Sequence, residues 1–404
     1  MATKHETLEI SIDGSQGEGG GQILRNAISY ANLLRRPLHI YNIRAGRKVP
    51  GLKAQHAVGL QVTTETMGGG LLEANTIGST EIRFTPVTSM APGSNQCVTG
   101  DTQTAGSICL LLQAALPCAL FAAAESSTPT TLCLRGGTNA AMAPQYDYWE
   151  RVFLPHLHAI LGDTVSVNPN VVRRGYFPRG GGEVRVVVRP SSTEDMSPSP
   201  LIQPISLVQR GTLESIEIRA FRAGKLPARM PGDMADAATK LLRQHLPPTA
   251  NYESPELVTE SSCVGSGGGV LIVARTSTGC LLAGSALSHP KKSFAQVGEE
   301  AAQELIDTWA DGGCVDEWLQ DQLILFMALA EGTSEIVTGS LTLHTRTAIA
   351  IAEQMTQAQF SVTRLDDNDG KCASVATPEV YGKDGRMAGR HRICCRGIGL
   401  KPKH

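Results

Sequence analysis

The sequence has few aromatic residues and no excess of charge of either sign. Phe, Tyr and Trp together make up 4% of the chain, and the formal net charge is -2. A surface that stacks a long single strand needs many aromatic side chains, and a broad nucleic-acid footprint needs an excess of Lys and Arg. A pure RNA-binding module is therefore disfavoured, and any nucleic-acid contact is expected at a local basic cleft.

The sequence also lacks the signals of metal-binding modules, secretion and membrane insertion. Its ten cysteines are scattered and form no Cys-x-x-Cys pair, so we interpret them as reduced thiols. We find no run of about 18 apolar residues and no signal-peptide pattern in residues 1–6. We therefore expect an intracellular protein without a membrane partner, long enough at 404 residues to bury more than one core.

Strand-like and helix-like patterns alternate in three similar copies. The first copy starts with an alternating run at 8–14, and the second includes a helix over 104–116. The third has a helix over 317–329, a strand that ends at His344 and a helix from Thr345 to about Gln357. Repetition of one unit predicts an α+β fold in which equivalent helix N-termini converge on one polar site.

A Ser/Pro-rich stretch at 191–200 interrupts the repeats, and a different pattern follows it. Such a break is typical of a linker that leads into an inserted domain. The predicted organisation is therefore a large domain whose first two units cover 1–190, an inserted small domain at 191–293, and the third unit at 294–404.

His344 stands where the strand-like run of the third copy gives way to a helix-like run. A helix N-terminus offers unpaired N–H groups and a positive dipole end, which attract phosphate and disfavour imidazolium. His344 is therefore a candidate neutral nucleophile beside a bound nucleotide. The alternative is a structural histidine, which is the commoner role.

A glycine-rich turn at 14–22 opens the first helix, and Glu18 lies within it. Such a turn is either an anion-binding loop or a tight structural turn, because it lacks the ending of a Walker loop. Glu18 is either a metal contact beside a phosphate or a solvated charge. Arg25, Arg44 and Arg47 nearby are either phosphate contacts or surface charges.

Trp318, Asp321 and Gln322 follow the spacing of one helix face, so they could hold a base and a ribose together. The alternative is an amphipathic helix with a half-buried tryptophan. The segment 174–184, rich in Arg and Gly, separates two strand-like runs and predicts a hairpin.

Several blocks together resemble the RNA 3'-terminal phosphate cyclase family. The block Arg-Gly-x-x-Pro-x-Gly-Gly-Gly-x-Val at 174–184 looks like the family signature. Supporting blocks run in order along nearly the whole chain, at 13–25, 43–52, 137–145, 315–322 and 344–347. The resemblance implies three βαβα-type units, similar to the C-terminal domain of bacterial translation initiation factor three, and an inserted domain of thioredoxin-like topology.

The resemblance also implies a reaction. Members of this family use ATP and a divalent cation, Mg²⁺ or Mn²⁺, to convert an RNA 3'-phosphate end into a 2',3'-cyclic phosphate. A histidine, here His344, takes AMP from ATP with release of pyrophosphate and passes it to the RNA end. A nuclear location, with a cytoplasmic one left open, is expected from similar eukaryotic proteins and a weakly basic segment at 386–404.

Residue by residue, the resemblance assigns three groups of side chains. Those matching nucleotide contacts are Gln113, Pro144, Trp318, Asp321 and Gln322. Those matching phosphate or RNA-end contacts are Arg25, Arg44, Arg47 and Gln55, and Glu18 matches the carboxylate near the metal. Trp318 departs from the tyrosine common in the family, which keeps an aromatic plane and loses a hydroxyl.

Two rival interpretations share this type of fold. Cyclase-like ribosome-biogenesis factors lack the nucleophilic histidine, so His344 in its motif favours the enzyme. Enolpyruvyl transferases are built from similar repeated units, but the block at 174–184 and the motif at His344 argue against them.

Overall fold

Four β-sheets alternate with helices in the computed structural model, which describes residues 8–87, 96–191, 200–365 and 386–403. This architecture confirms the predicted α+β class. The Ser/Pro-rich stretch lies almost entirely outside the described residues.

The first sheet has the order β1-β2-β4-β3 and carries two helices. Its strands are β1 (Ile10–Asp13), β2 (Leu38–Tyr41), β3 (Gly70–Glu73) and β4 (Ile82–Pro86), and its helices are α1 (Gly21–Leu34) and α2 (Ala54–Thr66). Strands β1 and β2 are parallel, and α1 forms the crossover connection that a parallel pair needs.

The second sheet contains the predicted hairpin and has the order β13-β7-β8-β6-β5. Its strands are β5 (Gln96–Asp101), β6 (Thr130–Gly136), β7 (Val165–Gly175), β8 (Gly182–Pro190) and β13 (Cys263–Val264). The accompanying helices are α3 (Ile108–Ser126), α4 (Tyr146–Tyr148), a π-helical turn (Trp149–Phe153) and α5 (Leu154–Leu161).

The third sheet is built around the long strand β10 and has its own helices. Its strands are β10 (Leu213–Ala223), β11 (Asn251–Tyr252), β12 (Glu256–Glu260), β14 (Gly267–Thr276) and β15 (Leu281–Leu287), and its helices are α6 (Met230–His245) and α7 (Phe294–Ala310). Strand β10 is parallel to β11 and β12 and antiparallel to β14.

The fourth sheet has the order β17-β18-β16-β9. Its strands are β9 (Ser206–Leu207), β16 (Thr333–Thr338), β17 (Gln359–Arg364) and β18 (His391–Arg396), and its helices are α8 (Glu317–Leu329) and α9 (Leu343–Met355). Most of the segment interpreted as a basic tail thus contributes a strand and its flanks, because β18 pairs with both β16 and β17.

Two large hydrophobic cores and two small clusters hold these sheets. The largest core joins residues of the first, second and fourth sheets with one face of β14 and β15, through Leu271 and Leu281 among others, and a second core joins residues between Leu213 and Ile306. Helix α7 packs in the second core through Val297 and Leu305. The domain boundaries stay a prediction. The packing groups α7 with the third sheet, whereas the predicted boundary at 293 separates the two.

Helix α3 lies in the middle of the large core. It is apolar on all sides, and by length and composition it could cross a membrane, contrary to our expectation that no such run exists. However, 83% of that apolar window is buried inside the protein, which is the pattern of a core helix. Helix α1 packs against α3 and α9, and α9 packs against α8, so helices from three sheets meet.

Candidate active site

A cavity of about 900 Å³ opens where the first turns of these helices meet. Ten of the eleven predicted site residues line it: Glu18, Arg25, Arg44, Arg47, Gln55, Gln113, Pro144, Trp318, Asp321 and His344. Gln322 lies beside it, in a smaller cavity that also contacts Gln113 and Asp321. The structure therefore brings together side chains from α1, α2, α3, α8 and α9.

His344 is the second residue of α9, and its side chain is exposed to the cavity. The prediction that a strand ends at His344 is wrong, because β16 ends at Thr338 and a turn follows. The side chain of Thr342 caps the helix by accepting from the N–H of Thr345 at 3.1 Å. Partial burial lowers the pKa of His344, with Glu18 opposing and Arg25 reinforcing the shift, which favours the neutral form of the ring.

His344 belongs to a hydrogen-bonded chain of three side chains. Its Nδ1 lies 2.7 Å from Oε1 of Gln22, and Nε2 of Gln22 donates to Oδ2 of Asp321 at 2.7 Å. Burial raises the pKa of Asp321 to about 7, although Arg25 and the bond from Gln22 favour the ionised form. The chain connects the first turn of α1 with α8 and α9.

The glycine-rich turn places Glu18 at the start of α1. One carboxylate oxygen accepts from the backbone N–H of Gln22 at 3.1 Å, and the other accepts from Arg47 at 2.7 Å. A side chain at Gly21 would lie 2.6 Å from Nε2 of His56, and one at Gly17 would lie 2.3 Å from Oγ1 of Thr347. The glycines thus allow close packing of the turn against α2 and α9.

Three carboxylates line this cavity, and besides Glu18 they are Glu317, which pairs with Arg386, and Asp321, which accepts from Gln22. Within the described ranges no group of three His, Cys, Asp or Glu side chains could hold a metal. Mg²⁺ in nucleotide sites usually takes most of its ligands from phosphates and water. Glu18 fits such a cation as a single protein ligand, provided that the oxygen that now accepts from Arg47 binds the cation instead.

The three predicted arginines differ in how the protein already uses them. Arg44 donates from Nη1 to the carbonyls of Val49 and Gly51 at 2.7 and 2.9 Å, so it holds its own loop together. Arg47 is exposed and also donates to the carbonyl of Glu18 at 2.6 Å. Arg25 lines the cavity and its Nε is buried without a hydrogen-bond partner, so its guanidinium is less engaged by protein contacts than those of Arg44 and Arg47.

Helix α8 carries the aromatic plane of the site. Asp316 caps the helix by accepting from the N–H groups of Trp318 and Leu319. The indole Nε1 of Trp318 donates to Oε1 of Glu304 at 3.0 Å. The polar edge of Trp318 is thereby committed to α7, so its ring contributes an apolar surface to the cavity.

The remaining predicted residues complete the wall in simpler ways. Gln113 and the buried Pro144 line the cavity from α3 and from the loop before α4. The side chain of Gln55 accepts from the N–H of Ser107, which ties α2 to the start of α3. Gln322 donates to the carbonyl of Trp318 one turn earlier in α8.

Several cavity residues were missed at the level of sequence, notably Gln22, His56, Met142 and Phe177. Gln22 stands three residues before Arg25, a helical spacing that could have indicated it. Burial, followed by Arg25, lowers the pKa of His56 to about 3, so His56 is a neutral group of the wall. Met142 and Phe177 are 92% and 79% exposed at the cavity mouth, and no pattern signals them.

Comparison with known proteins gives a consistent result. A family model described as RNA 3'-terminal phosphate cyclase matches residues 16–362. The RNA 3'-terminal phosphate cyclase of Drosophila melanogaster is 36% identical over 353 residues, which cover 87% of this chain and 92% of the relative. The RNA 3'-terminal phosphate cyclase of Desulfurococcus amylolyticus is 37% identical over 348 residues, with 85% and 91% covered.

Proposed function

The chain belongs to the RNA 3'-terminal phosphate cyclase family, and from this membership we propose that it uses ATP to convert an RNA 3'-terminal phosphate into a 2',3'-cyclic phosphodiester. The observation that carries the proposal is the position of His344, which faces a cavity of about 900 Å³ together with Arg25 and Trp318. A nucleophile, a cationic side chain and an aromatic plane in one cavity suit a nucleotidyl transfer.

In the first step, Nε2 of His344 attacks the α-phosphorus of ATP. The N–P bond forms as the bond to pyrophosphate breaks, so the lone pair of a neutral imidazole is required. Arg25 and Arg47 lie where they can offset the negative charge of the phosphates. A cation held through Glu18 would supply further charge neutralisation for the leaving pyrophosphate.

In the second step, an oxygen of the RNA 3'-phosphate attacks the histidine-bound phosphorus and releases the imidazole. The RNA end then carries AMP, which is a better leaving group than an oxide of a phosphomonoester dianion. In the third step, the 2'-hydroxyl attacks the 3'-phosphorus, loses its proton and expels AMP. Gln55 and Arg44 mark the side of the cavity at which we place the RNA end.

We also propose the finer architecture implied by the resemblance. The first, second and fourth sheets share one core and send helices to one cavity, which supports three copies of one unit. The chain joins the fourth sheet at β9, forms the separate core of the third sheet, and returns to the fourth sheet at β16. This path supports an inserted domain, for which we propose thioredoxin-like topology.

The proposal is tested by covalent labelling. The protein is incubated with ATP labelled at the α-phosphate and a divalent cation, and chain-bound label is measured after acid and base treatment. We expect acid-labile, base-stable label, as for a phosphoramidate, that is lost in His344→Ala. His245→Ala is the matched control, because His245 is an exposed helical histidine of the second core region.

Absence of label on the unaltered chain would contradict the proposed activity. Equal labelling of His344→Ala would contradict the assigned nucleophile. The cyclase-like ribosome-biogenesis role remains the second candidate, and the exposed His344 in the cavity argues against it, because those proteins lack the nucleophile.

A further inference from the structure

We propose that Gln22 is a positioning residue that fixes the reactive tautomer of His344, with Asp321 orienting the amide of Gln22. The inference rests on the proposed function, because it concerns how His344 becomes a nucleophile. It gives a role to a residue that motif spacing did not single out and changes the role of Asp321 from nucleotide contact to support.

The direction of the hydrogen bonds follows from Asp321. An ionised carboxylate only accepts, so the group of Gln22 that faces Oδ2 of Asp321 at 2.7 Å is its NH₂ donor. The opposite end of the same amide, Oε1, is then the atom that faces His344. Because Oε1 only accepts, Nδ1 of His344 must carry the proton that bridges their 2.7 Å separation.

A neutral imidazole carries one proton on its two nitrogens. With the proton held on Nδ1, the lone pair of Nε2 is free for attack on phosphorus. The opposite tautomer would place the lone pair of Nδ1 against the oxygen of Gln22 and would occupy Nε2 with hydrogen. The chain from Asp321 through Gln22 therefore selects the nucleophilic form before any nucleotide binds.

The protein holds Gln22 rigidly enough for this selection. Gln22 is 3% exposed, and its backbone N–H is bonded to the carboxylate of Glu18. Rotation of its amide by half a turn would set its oxygen against the carboxylate of Asp321 and its NH₂ against His344. The NH₂ could then donate to Nδ1 of the other tautomer, but the amide oxygen would face the carboxylate of Asp321 in a buried position, and this repulsion makes the flipped state costly.

The first experiment reads the tautomer directly. The protein is labelled with ¹⁵N-histidine, and the His344 signals are assigned by their loss in His344→Ala. At alkaline pH and without nucleotide, we expect a protonated, pyrrole-type Nδ1 and an unprotonated, pyridine-type Nε2. A protonated Nε2 would overturn the inference, whatever the activity of the protein.

The second experiment removes the acceptor. Gln22→Met keeps the length of the side chain and abolishes both hydrogen bonds, and Gln61→Met makes the same change at an exposed position of α2. We expect single-turnover label uptake at saturating ATP to fall on the order of 10²-fold in Gln22→Met, as when a catalytic histidine loses its orienting partner. ATP affinity and the Gln61→Met rate should stay within about threefold of the unaltered protein, the ordinary scatter of measured interactions.

Labelling of Gln22→Met at the unaltered rate would overturn the inference. If Gln22→Met does not fold, the tautomer of the unaltered protein still decides the question. A protein that shows the Nδ1–H tautomer but takes up no label contradicts the proposed function, while the assignment of Gln22 stays supported.

Discussion

Burial opposes the ionisation of both Asp147 and Asp321, and the protein surrounds the two carboxylates in opposite ways. Asp147 binds Arg174 through two hydrogen bonds of 2.7 and 3.0 Å and Arg219 through a third of 3.0 Å. Asp321 accepts from an amide, Gln22, and its nearest cationic influence is the single Arg25. Asp147 therefore has more than one cationic partner within hydrogen-bonding distance, whereas Asp321 has an uncharged one.

The pKa values of the two groups record this difference. Burial opposes ionisation of Asp147, but Arg174 and Arg219 overcome it and lower its pKa to about 2. Burial dominates at Asp321 and raises its pKa to about 7. A charge cluster between the hairpin and the small sheet thus favours the folded state, whereas the cavity retains a carboxylate that is held at some cost, as is common in functional sites.

The largest effect is expected from Asp147→Ala. It removes the most buried anion from Arg174 and Arg219, which are 6% and 7% exposed and keep Glu260 as their remaining shared partner. Breaking a buried ion cluster in this way should reduce the free energy of unfolding by about 3 kcal/mol. Denaturant unfolding at neutral pH measures the change, with Asp233→Ala as the control because its ion pair with Arg229 is exposed. Equal stability of the two variants would refute the structural role of the cluster.

Asp321→Asn should separate stability from activity. The raised pKa of Asp321 means that the folded state binds its proton more tightly than the unfolded chain. Its contribution to stability is therefore greatest at acid pH and declines as the pH rises through about 7, so Asn should equal or exceed Asp in stability above that pH. Label uptake should nevertheless fall about tenfold. An asparagine can present either its oxygen or its NH₂ to Gln22, so it no longer fixes which end of the Gln22 amide faces His344.

The pH dependence of label uptake checks the same assignment. In the unaltered protein the initial rate should rise through about pH 7 as Asp321 ionises, and Asp321→Asn should lose this limb. Burial also raises the pKa of Glu304 to about 7, so Glu304→Gln is the control that should keep the limb. If the rise near pH 7 is lost in Glu304→Gln and persists in Asp321→Asn, the titrating group is Glu304 and the assignment to Asp321 is wrong.

Sequence patterns predicted the parts of this comparison that depend on local structure. The spacing of Trp318 and Asp321 placed both on α8, and α8 extends over the predicted residues 317–329. The hairpin around Arg179 and the helix that begins near His344 were also visible in the pattern, since turn residues and apolar periodicity are local signals.

The contacts that give the carboxylates their different character were not visible. Gln22 and Asp321 are 299 positions apart, and Arg219 and Asp147 are 72 apart. Strand β18 was missed because His391 and the two adjacent cysteines do not follow a clear strand pattern, although β18 lies between two partners. Long-range pairing is decided by the packing of helices and sheets, which no local pattern encodes.

Glu304 shares features with both carboxylates. The smallest effect that we expect tests whether it serves structure, like Asp147, or the reaction, like Asp321. Like Asp321, it has a raised pKa; like Asp147, it has more than one donor, the N–H of Ser285 and the indole of Trp318, each at 3.0 Å. Trp318→Phe keeps a ring at the cavity wall and removes one donor. If Glu304 serves structure, the free energy of unfolding at pH 8 should fall by about 1 kcal/mol. Label uptake should stay within about threefold, because the retained ring can still pack on the proposed nucleotide. If label uptake instead falls by well over threefold while the free energy of unfolding hardly changes, Glu304 belongs with Asp321, as a carboxylate that α7 contributes to the reaction.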